Sequence, residues 1–292
     1  MCGQVGIIFG KKRRRIAERE YLNEVFIRML LCSEERGPHA SGMAWLRIDG
    51  DFRLFKRPIR AHRLVRELTF HELMAAVDNQ TTFLMGHTRW RTRGCEANSR
   101  NNHPICSGIT IGTHNGTIYN ANYLFRRLGL SCYAEVDSKL LFRLANRFAP
   151  DGTIDGRGFR KALRLCRGQM SAVLASRLDP GAITVIKGNK PLSLRYSRKH
   201  RAVLYASEPE YIDWGLQIGD CGFEPIAAVR SSSSQISNSK NPHSEIQNPN
   251  SAGWRELEIP PLTILTFRHE ALKEWQSHPF KFVCQEQRKA DL

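Results

Sequence analysis

The apolar residues of this chain fall in short runs separated by polar clusters and turns, and no run of about 18 apolar residues occurs anywhere, which removes a membrane-spanning helix from the options. Residues 4–9 form a compact apolar run ending at Gly10 and read as a buried strand. Tyr21, Leu22, Val25, Phe26, Met29 and Leu30 then recur at helical spacing, which predicts an amphipathic helix over residues 17–32. Residues 43–48 and 52–55 flank Asp49-Gly50-Asp51 and predict a hairpin, because glycine accepts the positive φ of a tight turn. Two further strands are expected at 82–85 and 109–113, each running into a polar cluster. Helices are expected at 120–128, 137–147 and 159–167, and strands at 170–175, 183–186, 203–206 and 262–267. Strands in blocks and helices in blocks imply α+β layering in place of βαβ alternation.

A chain of 292 residues, 41% of them hydrophobic, can bury one substantial core, so one large domain over 1–292 is expected. Residues 231–253, rich in Ser, Asn and Pro, cannot bury enough surface to offset the entropy of ordering and predict a mobile insertion. The basic stretch Lys11, Lys12, Arg13, Arg14, Arg15 follows the first apolar run, the wrong order for a secretory signal, so a cytoplasmic protein is expected. Eight cysteines without a CxxC pair suggest buried thiols and neither a zinc knuckle nor a disulfide framework; no metal or cofactor is expected. The net charge is 44 − 28 = +16, with basic residues clustered at 11–15, at Arg89, Arg91 and Arg93, and at 195–201. Such a surface suits a nucleic acid or an acidic partner as well as it suits a solvated face, and charge alone does not choose.

Cys2 carries the chemistry. Removal of Met1 would leave one residue with a thiol and a free α-amine, and that amine, with a pKa of roughly 8, can accept the thiol proton without a separate histidine. A cysteine at position 2 means little alone, so its company matters. Arg89 and Asp137 form an opposed cation and anion suited to a zwitterionic amino acid, although a surface arginine and a helix-capping aspartate are the ordinary readings of each. Asn115-Gly116, taken alone, is an ordinary turn signal.

The ordered segments Cys2-Gly3 with Val5-Gly6-Ile7, Arg36-Gly37-Pro38-His39-Ala40-Ser41-Gly42, Gly86-His87-Thr88-Arg89-Trp90-Arg91-Thr92-Arg93-Gly94, Asn101-Asn102-His103-Pro104, His114-Asn115-Gly116-Thr117-Ile118-Tyr119-Asn120 and Val136-Asp137-Ser138 resemble the glutaminase domain of the class II glutamine amidotransferases, which are N-terminal nucleophile hydrolases. The wording around Arg89 looks most like the glucosamine-6-phosphate synthase branch. Weaker similarity at residues 168–172 and 206–208 carries the resemblance toward residue 270. It implies a four-layer αββα sandwich and hydrolysis of L-glutamine through a thioester on Cys2. By the same resemblance the Asn115 side chain and the Gly116 N–H form the oxyanion hole, Arg89 binds the α-carboxylate with help from Trp90 and Thr92, and Asp137 binds the α-amine. His87, His103 and His114 are then structural, and a Cys-His dyad falls behind.

The pattern departs from the family at Arg91 and Arg93, two extra cations beside the expected pocket. The sequence holds no GxxxxGK[ST] phosphate loop, and the ammonia acceptor is expected on a separate synthase. A related amidohydrolase acting on another amide would keep Cys2 and Asn115 without needing Arg89 and Asp137. A catalytically silent basic scaffold that binds nucleic acid or a partner is the remaining alternative.

Overall fold

The structure, a computed structural model, describes residues 2–131, 135–217 and 253–279. The chain begins with β1 (Gly3–Phe9), α1 (Ile16–Cys32), a 3-10 turn at Ser33–Arg36, β2 (Ala40–Arg47), β3 (Phe52–Arg57), α2 (Ala61–Leu64), α3 (Leu68–Ala75) and β4 (Thr81–Arg89). Next come β5 (Ile105–Ser107), β6 (Thr110–Ile118), α4 (Ala121–Arg127), α5 (Ser138–Arg147), α6 (Gly156–Leu163), β7 (Gly168–Ser176) and β8 (Asp179–Lys187). The remaining elements are β9 (Ser193–Ser197), β10 (Ala202–Ala206), α7 (Pro209–Leu216), β11 (Trp254–Glu256), β12 (Thr263–Arg268) and β13 (Gln276–Pro279).

Two sheets stack between helices. One has seven strands in the order β11-β9-β10-β1-β4-β2-β3, the other six in the order β13-β12-β8-β7-β6-β5, and every strand pair is antiparallel. Because successive side chains on a strand point to opposite faces, each sheet feeds two cores. Val5, Ile7 and Phe9 face Leu22, Val25, Phe26, Met29 and Leu30 of α1, whose spacing builds one buried stripe. Ile8, Phe83 and Met85 face Ile111, Val173, Val185 and Leu265 across the gap between the sheets. Met170, Ala172 and Leu174 pack against α5 and α6 through Leu141, Phe142 and Phe159. The architecture is thus a four-layer αββα sandwich of the α+β class.

Sequence and structure differ in three places that bear on function. The polar clusters expected after the strands at 82–85 and 109–113 lie inside β4 and β6, because pairing of Thr88 with Gly3, of Arg89 with Ala40 and of Gly116 with Met170 extends both strands. The helix expected at 159–167 starts earlier and ends at Leu163, since the Asp155 side chain accepts from the N–H groups of Arg157 and Gly158 and caps it. Of the five described cysteines only Cys166 is buried, while Cys95 is exposed and Cys2, Cys32 and Cys106 are intermediate. The hairpin forms as expected, with Gly50 at φ 87°. The insertion expected at 231–253 lies, apart from Gly253, outside the described residues.

Candidate active site

Toward the start of β1 the layer between the sheets changes from apolar to polar. Gln4, fully buried, donates from Nε2 to Ser171 Oγ (2.8 Å) and accepts at Oε1 from Thr113 Oγ1 (3.1 Å), tying β1 to β6 and β7. Its backbone N–H donates to Ser207 Oγ (2.8 Å) just beyond β10. This satisfied polar floor positions Cys2, the next residue but one, at the mouth of a cleft of about 200 Å³.

Cys2, Trp90, Thr92, Asn115 and Gly116 all line that cleft. The Trp90 N–H donates to Cys2 Sγ (3.3 Å), and the thiol faces the Trp90 carbonyl oxygen at 3.6 Å. Burial pushes the Cys2 thiol above its ordinary pKa; the Trp90 N–H and the charges of Arg89 and Arg36 oppose that rise. The Trp90 ring, 44% exposed, stands edge-on to His39 with centroids 5.2 Å apart and roofs the opening. Asn115 projects from β6 into the inter-sheet layer, where Nδ2 donates to the Cys2 carbonyl oxygen (3.0 Å) and to Ser207 Oγ (2.7 Å). Gly116 has φ 141°, and a Cβ there would sit 2.0 Å from the Gln169 carbonyl oxygen, so only glycine lets β6 pass.

Arg89 and Asp137 are not on the cleft lining. Arg89, 4% exposed at the end of β4, donates to Asn102 Oδ1 (2.7 Å) and to the carbonyl oxygens of Gly94 (2.9 Å) and Arg93. Its fork therefore holds the 90–102 loop from behind, which sets Trp90 and Thr92 over Cys2. Asp137 occupies the N-cap position of α5 but makes no side-chain cap; Oδ2 accepts the Ile118 N–H at 2.6 Å instead.

No family model matches the chain. It is 30% identical over 197 residues to the glutamine–fructose-6-phosphate aminotransferase (isomerizing) of Geobacillus kaustophilus, covering 66% of this chain and 30% of that protein. The enzyme of the same name from Streptococcus mutans is 28% identical over 199 residues, with the same coverage. The chain belongs to the class II glutamine amidotransferases. It spans about 30% of the length of these amidotransferase relatives. An allosteric regulatory enzyme of purine biosynthesis aligns with a TM-score of 0.64 at 16% identity over 97% of this chain and 50% of its own. Glutamine phosphoribosylpyrophosphate amidotransferase from B. subtilis aligns with a TM-score of 0.58 at 18% identity over 96% and 49%.

Several residues of the amidotransferase cleft carried no individual role in the sequence reading. Arg36, Thr117, Gln169 and Lys190 complete the lining. Arg36 Nε donates to the Cys2 carbonyl oxygen (3.0 Å) while its guanidinium pairs with Glu208, clamping the strand start. Ser207 accepts from both Asn115 and Gln4. The motif segments 36–42 and 206–208 contained these residues, but only the pairing of Val5 with Ala206 brings Ser207 beside Asn115.

Neither His87 nor His103 is a hydrogen-bond partner of Cys2. Both are buried and stack with centroids 4.3 Å apart, and burial drives the His87 imidazole down to about 3. His114 Nδ1 meets Ser138 Oγ at 2.8 Å, on the helix side of β6. The basic clusters also divide. Arg14 is buried against the carbonyl oxygens of Gly10, His200 and Arg201, Arg195 forks onto Asp213, and Arg91 pairs with Glu96 at 3.0 Å. Among the described residues no group of three or more His, Cys, Asp or Glu could hold a metal ion, and no helix is long and apolar enough to cross a membrane.

Proposed function

We propose that this domain hydrolyses the side-chain amide of L-glutamine through Cys2 and passes the ammonia to an acceptor on a separate synthase domain or subunit. The observation that carries the reading is the meeting of Cys2, Asn115, Gly116, Trp90 and Thr92, from three separate stretches of chain, on one cleft. With Met1 removed, the Cys2 α-amine takes the thiol proton as sulfur bonds to the glutamine side-chain carbon. Negative charge on the carboxamide oxygen is met by Asn115 and the Gly116 N–H. The amine returns its proton to the leaving nitrogen, ammonia departs, and water cleaves the thioester to give glutamate.

Arg89 and Asp137 are the residues for the α-carboxylate and α-amine in this reading. Arg89 holds the loop that carries Trp90 and Thr92, and Asp137 accepts the N–H of Ile118, the residue after Thr117 on the cleft lining, so each adjoins the pocket it would serve. We also read 1–292 as one glutaminase domain, since β12, after the long polar segment, pairs with β8 inside the six-stranded sheet. A cytoplasmic setting suits the dependence on a reduced thiol.

The test is release of glutamate and ammonia from L-glutamine by the Met1-processed protein beside Cys2→Ala, with and without candidate acceptor synthases. Activity abolished by Cys2→Ala is the expected result. Glutamate release that persists in Cys2→Ala would refute the nucleophile.

A further inference from the structure

Asn115 Oδ1, both ring nitrogens of His87 and of His103, and the Tyr205 hydroxyl are buried with no hydrogen-bond partner among the described residues. Oδ1 can only accept, so a donor within its reach is expected to pair with it. Strand register decides which donor that is. His87 of β4 pairs with Gln4 of β1, and paired residues point to the same face, so the imidazole stands beside the Gln4 carboxamide that crosses to Thr113 and Ser171. Ser171 in turn pairs with Asn115, which lies two residues along β6 from Thr113 and so shares its face. The other two donors stand farther off. Tyr205 pairs with Gly6, and a Cβ on Gly6 would meet its hydroxyl at 2.4 Å, so that hydroxyl lies over Gly6. His103 stacks on His87 from the side away from Gln4, its carbonyl oxygen 2.4 Å from where a Cβ of Gly42 would be.

The Asn115 carboxamide has a direction to keep. Its Nδ2 donates to the Cys2 carbonyl oxygen and to Ser207 Oγ, on the cleft side. A flipped carboxamide would set Oδ1 against the Cys2 carbonyl oxygen, acceptor to acceptor, and would turn the N–H donors away from the cleft. Only a donor behind Oδ1 fixes the choice. Burial drives the His87 imidazole down to about 3, so near neutral pH it is uncharged and carries a single N–H; the His114 backbone and the Asn115 side chain are the hydrogen-bonding neighbours that oppose this fall. The competing acceptor for that one proton is therefore the His114 carbonyl oxygen, one residue before Asn115 on β6.

We propose that His87 is a positioning residue for the oxyanion donor: its one N–H donates to Asn115 Oδ1 and holds the carboxamide with Nδ2 toward the Cys2 cleft. The catalytic consequence rests on the glutaminase reading, whereas the hydrogen bond can be measured without turnover. Long-range proton–nitrogen NMR spectra of the full chain, isotope-labelled in histidine, are expected to show His87 as a neutral imidazole with one slowly exchanging N–H near neutral pH. Asn115→Ala is expected to move that proton upfield, as loss of its acceptor does; an unmoved signal assigns the proton to the His114 carbonyl oxygen and overturns the proposal. The second arm is kinetic, in protein whose glutamate release depends on Cys2. His87→Phe, which keeps an aromatic ring against His103 but has no N–H, is expected to lower kcat at least about 10-fold with KM within about 3-fold, and His87→Gln, which restores a donor, to recover part of the loss. In the Asn115→Ala background His87→Phe is expected to change kcat by less than about 2-fold, because the side chain it would position is gone. An unchanged kcat in folded His87→Phe, or a loss of about 10-fold that recurs in the Asn115→Ala background, marks a merely structural histidine and overturns the proposal. Should His87→Phe fail to fold, the NMR arm decides. Glutamate release that survives Cys2→Ala would sink the glutaminase reading and leave the NMR arm intact, so the two failures are told apart.

Discussion

Replacing Asn115 with alanine removes a side chain whose amide nitrogen is fully committed in the resting structure, one hydrogen to the Cys2 carbonyl oxygen at 3.0 Å and one to Ser207 Oγ at 2.7 Å. The stability loss is bounded by what those acceptors keep. The Cys2 carbonyl retains the Arg36 Nε donor and Ser207 Oγ retains the Gln4 N–H, so neither is orphaned. Two hydrogen bonds at about 1 kcal/mol each then give a loss of about 2 kcal/mol, or a melting shift of roughly 3 °C for a domain of this size. The catalytic loss is larger. Once one of those two hydrogens turns from its resting acceptor to the oxyanion it acts as a single oxyanion donor, worth about 2.7–4 kcal/mol, a fall of roughly 10²–10³ in kcat. Because that charge develops only as the thiolate attacks, KM should stay within about 3-fold. Steady-state glutamate release at 25 °C, with folding verified by circular dichroism, separates the two effects. A folded Asn115→Ala protein whose kcat lies within about 10-fold of wild type, or whose loss falls entirely on KM, would refute the oxyanion assignment.

Gly116→Ala should lower stability by about 3 kcal/mol and abolish activity, since its Cβ would sit 2.0 Å from the Gln169 carbonyl oxygen at φ 141°; an unchanged melting temperature would count against the register of β6 on β7. Arg89→Lys keeps the charge but loses the fork that grips Asn102, Arg93 and Gly94, so KM for glutamine should rise at least about 10-fold, checked by initial rates. Acid should destabilise the fold below about pH 6.5: the unfolded chain protonates His87 there while the folded imidazole holds out to about 3, so stability present at higher pH is lost as pH falls through that window, at up to about 1.4 kcal/mol per pH unit. Thermal melts between pH 7 and pH 4 should show this slope reduced in His87→Asn, and equal slopes would disprove the contribution.

The α+β layering was legible because the short apolar runs of β1, β4, β6 and β7 and the i, i+3, i+4 stripe of α1 are local patterns, each set by one element needing burial, whereas the four-layer αββα order was implied only by the resemblance to the class II amidotransferases. Asp155, by contrast, displaced the helix expected at 159–167, since a cap acts through a single side chain that periodicity does not register. His87, Thr88 and Arg89 read as a polar cluster outside a strand but are buried within one, because β4 is flanked on both sides by strands that supply its backbone partners. Gln4 sits in an apolar run and looks like an exception until Thr113 and Ser171 arrive from the other sheet to satisfy its amide.

By itself the sequence determined the class of fold, because the strand and helix periods are written in neighbouring residues, and through its ordered motifs it pointed to Cys2 as the proposed nucleophile and to Asn115-Gly116 as the proposed donors. Only the tertiary structure decided that Ser207 and Arg36 clamp the site, that Arg89 acts from behind the cleft through the 90–102 loop, and that Arg14 is a buried strut. Burial and partnership depend on which strands pair across the sheets, and pairs such as Val5 with Ala206 join residues some two hundred positions apart in the chain.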